Sequence, residues 1–175
     1  MVGTGLLNID GVKFSTITTH TSTNKPIINE QCDTLIYSID VALVESLESK
    51  FDAKFQGSPN PYYNCHGLTF ASKRTSIFDD AEIWKIIAEE YVPINNINDV
   101  LVGDVILYLQ GENNDEISHS GIVVDVNSFL GTKKIKIYSK IRKGREIVHL
   151  YDKCAYEYSL VKFFRISYAN RIRVA

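Results

Sequence analysis

This sequence contains few residues that cross-link a chain or interrupt its secondary structure, with 3 cysteines and 4 prolines among 175 residues. The cysteines, at 32, 65 and 154, are odd in number and form no Cys-x-x-Cys pair, which argues against a dense disulfide framework and a zinc ribbon. A charge surplus is missing as well, because 19 basic and 21 acidic side chains give a net charge of −2. We therefore expect no nucleic-acid partner.

Long apolar runs are also absent, since no stretch approaches the roughly 18 residues that a membrane-spanning helix needs. The N-terminus lacks the basic and apolar regions of a secretion signal. We predict no membrane partner, and the location stays open between the cytoplasm and delivery as an effector. The length fits one domain, which buries roughly 70% of the surface that its unfolded chain exposes.

Hydrophobic periodicity predicts helices in the first half of the chain and strands in the second. Residues 11–23 have the composition of one or two short strands, and residues 34–51 repeat apolar side chains at helical spacing. Two further helices are predicted after the Gly-Ser-Pro-Asn-Pro loop, and strand-like segments follow. The helices are expected at 65–73 and 79–91, and the strands at 105–110, 117–126, 133–141 and 160–168. This order indicates an α+β fold.

Cys65 lies beside a predicted helix start, in the sequence Asn64-Cys65-His66-Gly67. Asn64 is a good N-cap, and a thiol in the first helical turn has a lowered pKa because the aligned peptide dipoles stabilise its thiolate. Cys65 is therefore a candidate nucleophile. The alternative is that it is a small hydrophobic residue near a turn. His66 is interpreted as a pocket or packing residue, because helix neighbours point about 100° apart.

His119 opens the predicted strand 117–126 and is the candidate base. Gly121, two positions later, leaves space beside it, as expected where another group approaches closely. A half-exposed histidine without a catalytic role is the alternative.

Three short motifs together resemble those of the NlpC-type cell-wall peptidases, in the papain-like cysteine peptidase clan. Asn64-Cys65-His66-Gly67-Leu68 is similar to their Asp-Cys-Ser-Gly-Leu nucleophile motif. Gly103-Asp104-Val105 resembles their Gly-Asp-Leu element, and residues 119–123 resemble their His-Val-Gly-Ile-Tyr element. The resemblance implies an α+β, papain-like fold with N-terminal helices packed on an antiparallel sheet. It places a cysteine hydrolase domain at 56–175 and an accessory segment at 1–55.

In this reading Cys65 is the nucleophile and His119 the base, and a third residue on the next strand orients the imidazole. Alternation along 133–141 places Ser139 on the face of the core isoleucines, towards His119, and Tyr138 on the other face. Ser139 is favoured over Tyr138, with His149 as a further alternative.

The resemblance implies hydrolysis of an amide bond in a peptide, with peptidoglycan as the default substrate and no cofactor. A protein substrate or a cognate inhibitor are further possible partners. The alternatives are a protein-directed protease, deamidase or acyltransferase effector, or a catalytically inactive papain-like interaction module. A metal site is not expected, because His66, His119 and His149 lack ligand-pair spacing.

The basic stretch 139–145 carries four cationic side chains around Gly144. We interpret it as a solvated hairpin tip, with a rim that attracts an anionic substrate as the alternative.

Overall fold

The computed structural model describes residues 13–33, 50, 53–129, 132–141 and 144–167. In these ranges, two α-helices and nine strands form. The helices are α1 (Cys65–Phe70) and α2 (Asp80–Glu90). The strands are β1 (Phe14–Ser15), β2 (Gln31–Cys32), β3 (Lys54–Gln56), β4 (Tyr91–Ile94), β5 (Val105–Gln110), β6 (Glu116–Phe129), β7 (Thr132–Lys140), β8 (Glu146–Leu150) and β9 (Leu160–Ile166). The helix predicted over 34–51 lies outside the described residues except for Lys50, which is helical.

Seven of these strands form one antiparallel sheet in the order β3-β8-β7-β6-β5-β9-β4, and β1 pairs only with β2. The architecture is therefore mainly β. The predicted α+β, papain-like fold with N-terminal helices packed on an antiparallel sheet is wrong. Strands outweigh helices because the sheet recruits short segments from both halves of the chain.

The segments that sequence reasoning missed are β2, β3, β4 and β8, which are short and carry polar or turn-forming residues. β4 contains Pro93, which cannot donate to a neighbouring strand, and β4 lies at the edge of the sheet. An edge strand is where a sheet tolerates proline. Whether these segments form strands therefore depends on pairing with a strand that is distant in the sequence.

The sheet is buried on both faces around its centre. Along β5, Val105, Leu107 and Leu109 contact one apolar cluster, and Ile106 and Tyr108 contact the other. The first cluster also holds Ile83, Ile86 and Ile87 of α2. Alternate side chains of β5 enter two different apolar clusters, so both faces of the strand are buried. For this reason its sequence is a continuous apolar run.

The two helices predicted after the Gly-Ser-Pro-Asn-Pro loop are confirmed, and α1 is shorter than expected. The side chain of Asp79 accepts a hydrogen bond from the amide of Ala81 and begins α2. α1 ends at Phe70, and Ser72 and Lys73 adopt positive φ angles of 51° and 64°. A left-handed backbone at these two residues stops the helix.

Residues 13–33 lie against α2 and the chain before it. The amide of Ser22 donates to Glu90, that of Ile28 donates to Glu82, and Glu30 pairs with Ser76. β3 crosses the predicted boundary at residue 55 and joins the main sheet through β8. The division into 1–55 and 56–175 stays a prediction. In the described ranges no helix is long and apolar enough to cross a bilayer.

Candidate active site

Asn64 fixes the residue at which α1 begins. Its side-chain oxygen accepts from the amide of Gly67 at 2.9 Å and from that of Ile77 at 3.2 Å, and its amide group donates to the Ile77 carbonyl. The predicted N-cap is confirmed, and Cys65 is the first residue of the helix.

Gly67 permits the close approach of α1 to the chain around Thr75. A Cβ atom at this position would lie 1.7 Å from the Thr75 carbonyl oxygen, which real structures do not allow. The backbone of α1 is thereby held against the segment that leads into α2.

Gly67→Ala is expected to lower the free energy of unfolding by about 3 kcal/mol, because the Thr75 backbone must move. Urea denaturation measures the change. Gly57→Ala is the matched control: open space surrounds Gly57, whose φ is +58°, so only the backbone cost of about 1 kcal/mol applies. Equal losses in the two variants would contradict the close approach at Gly67.

Ser120 of β6 joins α1 to the sheet. The His66 Nδ1 atom lies 2.8 Å from the Ser120 hydroxyl, and the Thr69 hydroxyl lies 3.0 Å from it. Thr69 gives its proton to the Cys65 carbonyl, so Ser120 donates to Thr69. His66 Nδ1 must then carry the proton that it donates to Ser120. This fits the interpretation of His66 as a packing residue.

The Cys65 thiol lies inside the protein, with 6% of the residue exposed. Burial raises the pKa of the thiol to about 11, and hydrogen bonds from backbone amides, that of Ser120 first, oppose the rise. α1 has six residues, so the dipole effect expected from the sequence is small here. The predicted lowering of the thiol pKa is therefore outweighed by burial.

The position of Cys65 follows from the end of the ladder between β6 and β7. The last paired residues are Gly121 and Ser139, so His119 and Ser120 extend beyond the part of β6 that β7 covers. The Ser120 hydroxyl contacts His66 and Thr69 of α1 there. The start of α1 thus packs beside the residue that follows His119, and the backbone amide of Ser120 lowers the pKa of the Cys65 thiol.

His119 is fully buried, and in the described part of the chain neither ring nitrogen has a hydrogen-bond partner. Its ring stacks on Tyr156 with centroids 4.3 Å apart, and Tyr108 lies 5.7 Å away. Burial lowers the pKa of His119 well below its usual value, with His149 and His66 adding to the effect. The expected hydrogen bond between Cys65 and His119 is absent from this structure.

Ser139 lies on the face of the sheet that was predicted, but it contacts a different histidine. Its hydroxyl lies 3.0 Å from His149 Nε2, while His149 Nδ1 donates to the Leu150 carbonyl at 2.8 Å. Ser139 must therefore donate to Nε2. The ring centroids of His119 and His149 are 6.4 Å apart. The structure brings Ser139 together with His149 and not with His119.

Ser139→Ala is expected to destabilise the protein by about 1 to 3 kcal/mol, because His149 Nε2 loses its donor inside the core. Chemical denaturation measures the change. Ser128→Ala, at an exposed position of β6, is the matched control and should change stability by less than about 0.5 kcal/mol. A loss for Ser139→Ala no larger than that of the control would contradict the hydrogen bond.

Tyr138 takes part in a polar network near the start of α1. Its hydroxyl donates to Glu146 and accepts from Lys73 at 2.9 Å, and the Tyr63 hydroxyl also donates to Glu146. Sequence reasoning missed Lys73 and Glu146 as members of the site. Sequence reasoning named only Tyr138 of this network, as an alternative to Ser139 for orienting His119.

The Gly103-Asp104 pair shapes the entry into β5. Gly103 has a φ of +95°, which favours glycine. Asp104 accepts from the Leu101 amide and binds the Arg165 guanidinium with both oxygens at 2.8 Å. Gly121 is confirmed as a place of close approach, because a Cβ there would lie 2.4 Å from the Ile137 side chain.

The described residues around the candidate site form neither a metal-binding cluster nor a disulfide bond. The described residues contain no cluster of three or more His, Cys, Asp or Glu side chains that could share a metal ion. Cys32, Cys65 and Cys154 are all described, and none is in a disulfide.

No family model, curated protein or solved structure matches this chain. The resemblance to the NlpC-type peptidases therefore depends on the short motifs alone.

Proposed function

We propose that this chain is a thiol-dependent hydrolase of amide bonds, with Cys65 as the nucleophile and His119 as the base. The observation that carries the proposal is the fully buried His119, whose two ring nitrogens lack a hydrogen-bond partner among the described residues, next to Ser120, whose hydroxyl contacts the helix that begins at Cys65. A buried polar group without a hydrogen bond costs stability, and such groups are retained where function needs them.

In the proposed reaction the Cys65 sulfur attacks the amide carbonyl carbon, and His119 accepts the thiol proton. His119 then gives that proton to the leaving amine as the carbon–nitrogen bond breaks and a thioester forms. Water hydrolyses the thioester, with His119 accepting the proton of the water and returning it to the thiol. No hydrogen bond joins the imidazole to the thiol in the described structure, and His119 points to the opposite face of β6 from Ser120, which contacts α1. The proposed proton transfer therefore requires β6 to rearrange when substrate binds.

The substrate class depends on the motif resemblance. A peptide amide is proposed, with peptidoglycan stem peptides as the default and a protein substrate as the alternative. A protein-directed protease, deamidase or acyltransferase would use the same thioester chemistry, and a fold alone does not choose among them.

The test incubates the full chain with purified peptidoglycan and, separately, with a protein mixture. Mass spectrometry identifies the bond that is broken. A parallel sample is first alkylated with iodoacetamide, and the labelled cysteine is mapped by peptide analysis. We expect product only from protein whose Cys65 is unmodified. Equal product from protein alkylated at Cys65 would exclude the proposed nucleophile.

A non-enzymatic interaction module is the second candidate, and the burial of Cys65 favours it. Iodoacetamide labelling at pH 6 separates the two functions. An activated Cys65 reacts much faster than Cys32 and Cys154, which are both buried and serve as internal standards. Equal labelling of all three favours the interaction module.

A further inference from the structure

Glu146, the first residue of β8, holds three side chains around its carboxylate. One of its oxygens accepts a hydrogen bond from the Tyr63 hydroxyl and lies 2.8 Å from the Lys73 ammonium. The other oxygen accepts from the Tyr138 hydroxyl, to which Lys73 also donates at 2.9 Å. With 13% of the Glu146 side chain exposed, these partners replace most of the water that would surround a free carboxylate.

Two of these partners lie on either side of α1. Tyr63 precedes Cys65 by two residues, and Lys73 follows the end of the helix at Phe70 by three. The Lys73 amide also donates to the Gly67 carbonyl of α1 at 3.0 Å, so its backbone is joined to the helix. Glu146 therefore binds the chain at both ends of α1 and connects it to β8.

The loop before Tyr63 lies at the same end of the sheet. The ammonium of Lys140, the last residue of β7, donates to the carbonyls of Asn60 at 2.8 Å and Gly144 at 2.9 Å. The Asn60 amide also donates to the Gly144 carbonyl, at 3.2 Å. The chain that leads into α1 is thus held on the connection between β7 and β8, next to Glu146.

α1 needs such support, because a helix of six residues is not stable by itself. Asn64 joins its start to Ile77, and Ser120 joins it to β6. Glu146 supplies the contact with β8. Because Cys65 is the first residue of α1, the position of its buried thiol depends on these contacts.

The charge of Glu146 strengthens its contacts. Burial raises the pKa of the carboxyl group, but hydrogen bonds from Lys73, Tyr138 and Tyr63 outweigh burial, so the pKa lies below its usual value. Glu146 is therefore ionised at neutral pH. Hydrogen bonds to an ionised acceptor are roughly twice as strong as neutral ones, so a neutral amide at position 146 would not hold the chain equally well.

We propose that Glu146 is a positioning residue for Cys65, which fixes the start of α1 by binding the chain on both sides of the helix. It acts through Tyr63 and Lys73. The inference rests on the proposed function only in treating Cys65 as the nucleophile.

The test compares iodoacetamide labelling of Cys65 at pH 8 in Glu146→Gln and in wild type. Glutamine keeps the shape of the side chain but loses the charge and one acceptor oxygen. A buried thiol reacts when the structure around it opens locally, so the labelling rate reports the opening of α1. We expect Cys65 to be labelled about tenfold faster in the variant, because hydrogen bonds to a charged group are lost.

Cys154 is the internal standard, since it is also 6% exposed. A general loss of stability speeds the labelling of both cysteines, whereas loosening of α1 speeds that of Cys65 alone. The measured quantity is therefore the ratio of the Cys65 rate to the Cys154 rate. An unchanged or lower ratio in folded Glu146→Gln overturns the proposal.

Variants of Lys73 test the ion pair without a change at the carboxylate. Lys73→Met should raise the ratio, and Lys73→Arg, which keeps the charge, should retain the wild-type ratio. Lys25→Met is the matched control, because Lys25 is likewise an exposed lysine that pairs with a mostly buried glutamate, Glu89 of α2. Equal ratios in Lys73→Met and Lys25→Met overturn the proposal even where Glu146→Gln fails to fold.

Labelling does not depend on turnover, so its outcome is separate from that of the proposed function. A chain that hydrolyses nothing can still confirm that Glu146 holds α1. In a chain that hydrolyses amides, Glu146→Gln should lower kcat about tenfold with little change in KM, because a misplaced nucleophile slows the chemical step. Hydrolysis together with an unchanged labelling ratio refutes the role of Glu146 alone.

Discussion

Cys65→Ala is expected to lose all measurable amide hydrolysis, at least about 10³-fold, while the fold stays intact. The variant lacks the atom that forms the thioester, and no other group can replace it. The loss of one buried sulfur should cost only about 1 kcal/mol of the free energy of unfolding. Product formation is followed by mass spectrometry, and stability by urea denaturation.

Cys154→Ala is the matched control for this experiment. Cys154 is also 6% exposed, and burial raises the pKa of its thiol to about 12. Cys65→Ala and Cys154→Ala each remove one sulfur atom from a buried site. A loss of activity or stability that both variants show is therefore caused by lost packing. We expect Cys154→Ala to retain activity within a few-fold of wild type. Hydrolysis that survives in Cys65→Ala would exclude thiol chemistry at this position.

Local pattern was enough to predict the elements whose state is decided by their own residues. Asn64 and Asp79 are caps that close hydrogen bonds within three residues of themselves. β5 is a buried apolar run, and α2 repeats isoleucine at helical spacing. Such signals need no knowledge of a distant partner.

The fold class could not be predicted because it depends on pairing between segments far apart in the sequence. β3 pairs with β8, some ninety residues later, and β4 pairs with β9. Neither β3 nor β4 has a strand pattern of its own. When β3 and β4 are taken as loops, the predicted sheet has too few strands. The sequence then indicates an α+β fold instead of a mainly β fold.

The candidate site shows the same limit at the level of single side chains. Alternation placed Ser139 on the correct face, but only the pairing of Ile137 with His149 reveals which histidine its hydroxyl reaches. Lys140 belongs to a basic stretch that was predicted to be solvated, yet the structure buries it. That part of the prediction is wrong, since carbonyls from two loops satisfy the ammonium.

Acidification from pH 7.5 to pH 5 is expected to lower the free energy of unfolding by at least about 2 kcal/mol. His66, His119 and His149 are buried, and burial lowers the pKa of all three. The pKa of His66 falls to about 4. With an unfolded pKa near 6.5, His66 alone costs about 2 kcal/mol at pH 5, and His119 and His149 add losses in the same direction.

The direction in which stability changes with pH depends on whether the folded or the unfolded chain binds more protons. Above about pH 7.5 the three imidazoles are mostly neutral in both states, and they contribute little pH dependence. Below that value the unfolded chain binds protons that the folded chain refuses, so stability falls as the pH falls. For His66 the loss ends near pH 4, where the folded state also takes up its proton.

Urea denaturation at pH 7.5, 6.5, 5.5 and 5 measures this loss, and a pair of histidine variants assigns it. His66→Gln keeps a polar group beside Ser120 but cannot be protonated, so about 2 kcal/mol of the loss at pH 5 should disappear. His20→Gln, at an exposed position, should keep all of it. A stability that does not change between pH 7.5 and pH 5 would mean that the buried imidazoles are already paired or solvated. The observation that His119 has no hydrogen bond to any described residue, which carries the proposed function, would then be overturned.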